Sequence, residues 1–195
     1  MTLGHTRARY FPPENGGLIW LGGYAGGVFR IDHDQAFQQT AVLRYQRPKA
    51  AEWIDFTWRY DSGLVVTGVP DAAAELGLTA AEQVAIDLSC DGAAATYSRP
   101  IRDCGGAVRS ALLTLPAARA ENDDHRPDRV RARNLFNVAI GTDNLFHAEK
   151  RSRVNARFSI ENLTNKKALF NFLSTFSGTH FVPPRTYQAS VGYSF

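Results

Sequence analysis

The chain has 195 residues and a formal net charge of +3, with hydrophobic residues at 44% and charged residues at 21%. This composition excludes a disordered chain, and the small, scattered positive charge argues against a nucleic-acid-binding protein. The longest uncharged stretch, residues 15–29, is too short and too rich in glycine to predict a transmembrane helix.

The first 36 residues predict a surface loop. They contain Pro12-Pro13 and several Gly-Gly pairs, which interrupt regular structure. The opening residues, Met1 to Arg9, also lack the apolar segment of a secretory signal peptide. Because the rest of the chain predicts an exported protein, we expect these residues to belong to an extracellular loop entered partway, in the C-terminal part of a longer protein.

Five later segments alternate between apolar and polar residues with a period of two, which predicts β-strands. They are residues 37–46, 53–61, 135–146, 153–161 and 185–195. In the last segment Tyr187, Val191 and Tyr193 alternate with small or polar residues. A strand that crosses a bilayer needs about 9–11 residues, with one face apolar and the other small or polar. The alternation therefore predicts transmembrane β-strands.

The connections between these segments alternate in length. Short turns follow the first and third segments, whereas residues 62–134 and 162–184 form long connections. Tight periplasmic turns and long extracellular loops are typical of outer-membrane barrels. Within the first long loop, Thr79 and Glu82 have the spacing of a capping box, which predicts a short helix.

These observations predict an all-β fold, an antiparallel meander that forms part of a transmembrane outer-membrane β-barrel. Five strands cannot close, because an open edge in lipid leaves backbone groups without hydrogen bonds. The polar positions of the strands would face the barrel lumen and contact a plug domain outside this sequence. They are Arg44, Asp55, Arg59, Asp61, Asn155, Arg157 and Glu161.

The final third also carries short motifs. Asn144-Leu-Phe146 and Asn162-Leu-Thr-Asn165 resemble turns near the end of TonB-dependent outer-membrane receptors. The stretch from Ala168 to Tyr187 resembles the last extracellular loop and strand of the Oar-like branch of that family. The resemblance implies a plugged barrel of roughly 22 strands in the bacterial outer membrane. It also implies energised uptake of an extracellular ligand through the TonB complex.

The chain holds no plug domain or energy-coupling motif, so we expect it to contribute barrel wall and loops without transporting alone. Its partners would be outer-membrane lipid, the remaining strands and plug, the TonB complex acting through an N-terminal region, and an unknown extracellular ligand. Two alternatives remain: a surface-adhesion barrel without transport, and a soluble β-sandwich binding module. No nucleophile motif is present, so we expect no enzyme activity and no cofactor.

Three groups of loop residues are candidate sites. Cys90 and Cys104 predict a disulfide if the loop lies outside the cytoplasm. Glu121, Asp123 and Asp124 could supply oxygen ligands for calcium, although a solvated acidic turn is the simpler interpretation. The phenylalanines of the last loop could capture a ligand, or could pack against neighbouring loops, which we favour. They are Phe170, Phe172, Phe176 and Phe181.

Overall fold

The structure is a computed structural model that describes residues 2–6, 9–10, 29–30, 34–48, 50–66, 72–115, 128–147, 153–174 and 177–194. The described chain is dominated by antiparallel β-structure. Its strands are β1 (Thr2–Thr6), β2 (Arg9–Tyr10), β3 (Phe29–Arg30), β4 (Gln35–Gln46), β5 (Glu52–Asp61), β6 (Leu88–Cys90), β7 (Ala93–Ala94), β8 (Val108–Ser110), β9 (Leu113–Thr114), β10 (Arg129–Val130), β11 (Arg133–Thr142), β12 (Arg153–Glu161), β13 (Leu169–Ser174), β14 (Gly178–Phe181) and β15 (Thr186–Ser194).

Two short helices, α1 (Ala72–Gly77) and α2 (Ala80–Ala85), lie in the first long loop. Helix α2 begins at the predicted capping box. The Thr79 hydroxyl accepts the Glu82 backbone N–H, and the Glu82 carboxylate accepts the Thr79 backbone N–H. Within the described ranges, neither helix has the length and hydropathy of a membrane-crossing helix.

The main sheet has six strands in the order β1-β4-β5-β11-β12-β15. The five strands predicted from alternation pair in chain order as an antiparallel meander, as the sequence predicts. Their observed bounds lie within a few residues of the predicted ones. Among the described residues the outer edges of β1 and β15 are unpaired, so the sheet is open and no closed barrel forms.

Three sequence expectations about the loops are corrected by the structure. Residues 1–36 are not all loop, because β1 pairs with β4 along its edge. The first long loop ends early, because β11 begins at Arg133, two residues before the predicted strand. The last long loop contains the hairpin β13–β14. Strand β1 is short and its partner β4 is distant in sequence, and the register of β13–β14 is irregular, so neither shows a long alternating pattern.

One face of the main sheet carries apolar and aromatic side chains that stay exposed. Cross-strand register places Leu43, Phe56, Val138, Ile160 and Tyr187 in one continuous row. Large side chains on this face are exposed in each of the five long strands, and among them are Leu43, Tyr45, Ile54, Phe56, Ile140, Phe158, Tyr187, Val191 and Tyr193. Within the described chain, no second sheet covers this face. We call it the apolar face, and the opposite side the polar face.

The buried core lies outside the main sheet, in a lobe built from the two long loops. We call residues 64–115, 128–131 and 168–182, where described, the loop lobe. Its core is formed by apolar side chains that flank helix α2 or lie on several short strands, and includes Leu78, Ile86, Leu88, Leu113, Val130, Leu169 and Phe172. The two loops are thus joined by a shared hydrophobic cluster, rather than projecting separately from the sheet.

A disulfide joins Cys90 and Cys104 within the loop lobe, as the sequence predicts for an exported protein. The Cα atoms lie 5.8 Å apart, and the bond connects the end of β6 to the segment before β8. The bridge therefore fastens a part of the lobe in which Gly105, Gly106 and other small residues supply little apolar surface.

The junction between sheet and lobe is held by a buried ion pair and a tight glycine contact. Arg129 places Nη2 2.6 Å from Asp34 Oδ1, and its Nη1 donates to the carbonyls of Asp34 and Gly63. Gly63 has φ of +94°, and a Cβ there would overlap the Val130 carbonyl. Only glycine fits this position, because both the conformation and the close approach exclude a side chain.

Candidate functional site

The seven predicted lumen-facing residues share the polar face. Successive side chains of a strand point to opposite faces of the sheet, whereas directly opposed residues of neighbouring strands share a face. Arg44 is opposite Asp55, and Arg59 is opposite Thr40. Asp61 is opposite both Gln38 and Arg133. Asn155, Arg157 and Glu161 occupy the equivalent positions of β12. The register therefore groups all seven on one surface.

At the turn end of the polar face, two arginines flank one tryptophan. The Arg44 guanidinium lies 4.4 Å from the Trp53 ring centroid, and that of Arg157 lies 5.9 Å away. Arg44 also approaches Asp55, with 3.6 Å between Nε and Oδ1. The Trp53 indole N–H donates to Asp143 at 3.1 Å. A desolvated cation near an aromatic ring is stabilised by about 2 kcal/mol, less at exposed sites such as this one.

At the loop end, Asp61 is enclosed by basic and amide side chains. Arg59 Nε lies 3.0 Å and Arg133 Nη2 3.2 Å from the Asp61 carboxylate, and Gln35 donates to it at 3.2 Å. Asp61 and Arg133 are fully buried, whereas over a third of the Arg59 side chain is exposed. This corrects the expectation for Asp61. It cannot contact a plug, because its own sheet already surrounds the carboxylate.

A pocket of about 440 Å³ lies above this cluster, between the polar face and the hairpin β13–β14. Arg59, Asp61 and Arg133 contribute to one wall. Phe170 and Phe181, each 43% exposed, contribute to the opposite wall. Two of the four predicted loop aromatics and two of the seven predicted lumen residues therefore meet in one cavity.

The other two loop phenylalanines do not contribute to this pocket as described. Phe172 is 1% exposed and packs in the core of the loop lobe, so it is a structural residue and not a ligand contact. Phe176 lies outside the described residues. Phe170 and Phe172 both lie on β13, but its register with β14 is irregular, so the two rings lie in different surroundings.

Asn162 fixes the chain that leads from the sheet to the hairpin. It is buried, with φ of +49°, and its side-chain amide donates to the carbonyls of Lys166 and Pro183 at 3.1 and 2.9 Å. Its side-chain carbonyl accepts the Lys166 backbone N–H at 2.8 Å. Asparagine tolerates the left-handed conformation better than most residues and supplies both donors and acceptors. Asn162 thus joins the two ends of the last loop by hydrogen bonds.

The remaining candidates give no metal site in the described residues. Glu121, Asp123 and Asp124 lie outside them, as does the rest of that acidic turn. In the parts of the chain that are described, no three His, Cys, Asp or Glu side chains come together as a metal site would require.

Three further residues of the pocket lining, Arg133, Asn171 and His180, were not predicted from the sequence. Arg133 had a detectable signal, because extending the predicted strand by two residues places it opposite Asp61. Asn171 and His180 had none. Their contacts, such as the His180 backbone N–H donating to Asn171 Oδ1 at 2.8 Å, arise only when the hairpin folds.

Comparison with known proteins identifies no relative. No protein-family model matches the chain, and searches of curated proteins and of solved structures gave no significant match.

Proposed function

We propose that this chain is part of the barrel wall and extracellular loops of a TonB-dependent receptor in the bacterial outer membrane. The receptor would take up an extracellular ligand, and this segment would act together with the other strands and a plug. The observation that carries the proposal is the apolar face. A water-soluble sheet covers such a surface, whereas a barrel wall turns it toward lipid.

The order of residues across the apolar face supports a bilayer setting. Aromatic side chains cluster toward the loop end, where Trp58 donates to Asn134 at 2.8 Å and the ring centroids of Phe37 and Tyr60 lie 6.0 Å apart. Tyr45 and Tyr193 lie toward the turn end. Aliphatic residues predominate between them, as in barrels that have an aromatic girdle at each interface. Glu52 is a charged residue on this face, but it lies at the turn end of β5, where it meets His147.

The position of the loops also supports the proposal. The loop lobe lies at one end of the main sheet, beyond Asp61 and Arg133, and short turns join strands at the other end. This asymmetry is typical of outer-membrane barrels, with extracellular loops on one side and periplasmic turns on the other. The five long strands have 9 to 12 residues each, which matches the length needed to cross the hydrocarbon core of a bilayer. They are β4, β5, β11, β12 and β15.

A second candidate is a surface-adhesion barrel that binds partners through its loops without transport. The folded loop lobe favours it, because a loop region with its own core and disulfide can present a fixed surface. A soluble β-sandwich is disfavoured, since it requires a second sheet over the apolar face. Substrate release into the periplasm separates the first two candidates.

Two substitutions on β15 test the bilayer setting. Val191 is 75% exposed on the apolar face, and Gln188 is exposed on the polar face. Val191→Arg should lower assembly of the receptor that carries this chain, because arginine facing lipid costs about 2–4 kcal/mol near the midplane. Gln188→Arg should assemble almost normally. The measurement is the heat-modifiable, folded fraction in the outer membrane, and equal assembly of the two variants would contradict the proposal.

A further inference from the structure

We propose that the pocket between the polar face and hairpin β13–β14 binds a small organic acid with an aromatic or apolar body. The inference deepens the proposed function by naming a ligand class. It depends on the proposed function in one respect only, namely the side of the membrane on which the pocket opens. The binding chemistry itself follows from the residues that line the cavity.

The charge of the pocket favours an anion. Its described lining contains two guanidinium groups, of Arg59 and Arg133, and one carboxylate, of Asp61. The carboxylate is already occupied by both arginines and by Gln35. One positive charge therefore remains uncompensated among these three residues.

Arg59 is the residue that can meet a ligand. Its Nε is engaged by Asp61, and in the described part of the chain its two terminal nitrogens have no protein partner. Arg133, by contrast, is buried and donates to the Leu169 carbonyl at 2.8 Å. A planar guanidinium with two open N–H groups suits the two oxygens of a carboxylate. A partly closed pocket also strengthens this contact relative to open water.

The rest of the pocket favours an apolar body. Phe170, Phe181, Leu135 and Val182 line it, and its volume is within the range of small-molecule sites. Phe170 is held in place by the Arg133 guanidinium, whose central carbon lies 5.4 Å from the ring centroid. The hairpin is further fastened by Asn162. The walls are therefore fixed before a ligand arrives, which limits the entropy lost on binding.

The test compares 1-naphthylacetate with its neutral isostere 1-naphthylacetamide, titrated calorimetrically into the full chain in detergent micelles. The acid should bind about tenfold more tightly than the amide, because only the acid forms a charged contact with Arg59. Arg59→Leu should remove that preference, and Arg59→Lys should retain most of it. Wild type and variants share the same micelles, so partition of the probes into detergent cancels in the comparison.

Two further variants separate the acid-binding group from the apolar walls. Phe181→Ala should weaken acid and amide by the same factor, because it removes contact with the naphthyl ring. Arg109→Leu is the matched control, because Arg109 is an exposed arginine of β8 outside the pocket. This variant should bind both probes like the wild-type chain. Circular dichroism confirms that each variant is folded.

Equal binding of acid and amide to the wild-type chain would overturn the proposal, as would binding of neither probe. An unchanged preference in folded Arg59→Leu would overturn it as well. None of these results bears on the bilayer setting, which the β15 substitutions test separately. Failure of the pocket and failure of the barrel are therefore distinguishable.

Discussion

The main sheet and the loop lobe differ in where their apolar side chains lie, on an exposed face in the sheet and in a buried core in the lobe. In the sheet, Val191 and Leu43 are 75% and 69% exposed, and the charged residues of the long strands, apart from Glu52, face the other side. In the lobe, Leu88 and Leu113 are fully buried, and polar side chains such as Arg102 and Arg109 are exposed. Large apolar side chains are thus exposed in the sheet and buried in the lobe. The lobe therefore has the apolar interior and polar exterior of a domain in water, whereas the sheet needs another surface against its apolar face.

Burial of Phe172 is central to the packing of the loop lobe. Phe172→Ala should destabilise the loop lobe by about 3–5 kcal/mol, because truncating a buried phenylalanine removes packing and leaves a cavity. Phe170→Ala, two residues away on the same strand but 43% exposed, should cost much less. Hydrogen exchange of the lobe amides measures both. Equal loss of protection would show that burial does not separate these two residues.

The second prediction concerns the disulfide, which acts in the lobe and not in the sheet. Replacing Cys90 and Cys104 together by alanine should destabilise the lobe by about 3 kcal/mol, since the bridge restricts a loop of about fifteen residues in the unfolded chain. Exchange of the lobe amides should accelerate, while that of β11 and β12 should not. Uniform acceleration across both regions would mean that lobe and sheet unfold as one unit.

The junction between sheet and lobe depends on a close backbone contact at Gly63. Gly63 and Gly92 both have positive φ, but only Gly63 lies against neighbouring backbone, at the Val130 carbonyl. Gly92→Ala should cost about 1–2 kcal/mol, from conformation alone. Gly63→Ala should cost clearly more, because the added Cβ also displaces β10. Comparing the two denaturation midpoints isolates the contact. Equal midpoints would mean that the junction relaxes without penalty.

Pattern in the sequence was enough to predict five of the six strands of the main sheet and which of their residues share a face. Period-two alternation from Trp53 to Asp61 and from Arg153 to Glu161 specifies which side chains share a side, and a shift of one residue would exchange them all. Short turns then specify neighbours in an antiparallel meander. The capping box at Thr79 and the cysteine pair were likewise readable, because each depends on residues close together in the chain.

The fold of the loops and the pocket that they enclose could not be predicted from the sequence. Whether a phenylalanine of the last loop is buried, as at Phe172, or lines a cavity, as at Phe181, depends on partners far away in the sequence. The same holds for Asp61, whose neighbours Arg133 and Gln35 come from two other strands. Local alternation determines which face a strand residue occupies. Burial, charge compensation and a pocket depend on non-local packing, which no local pattern encodes.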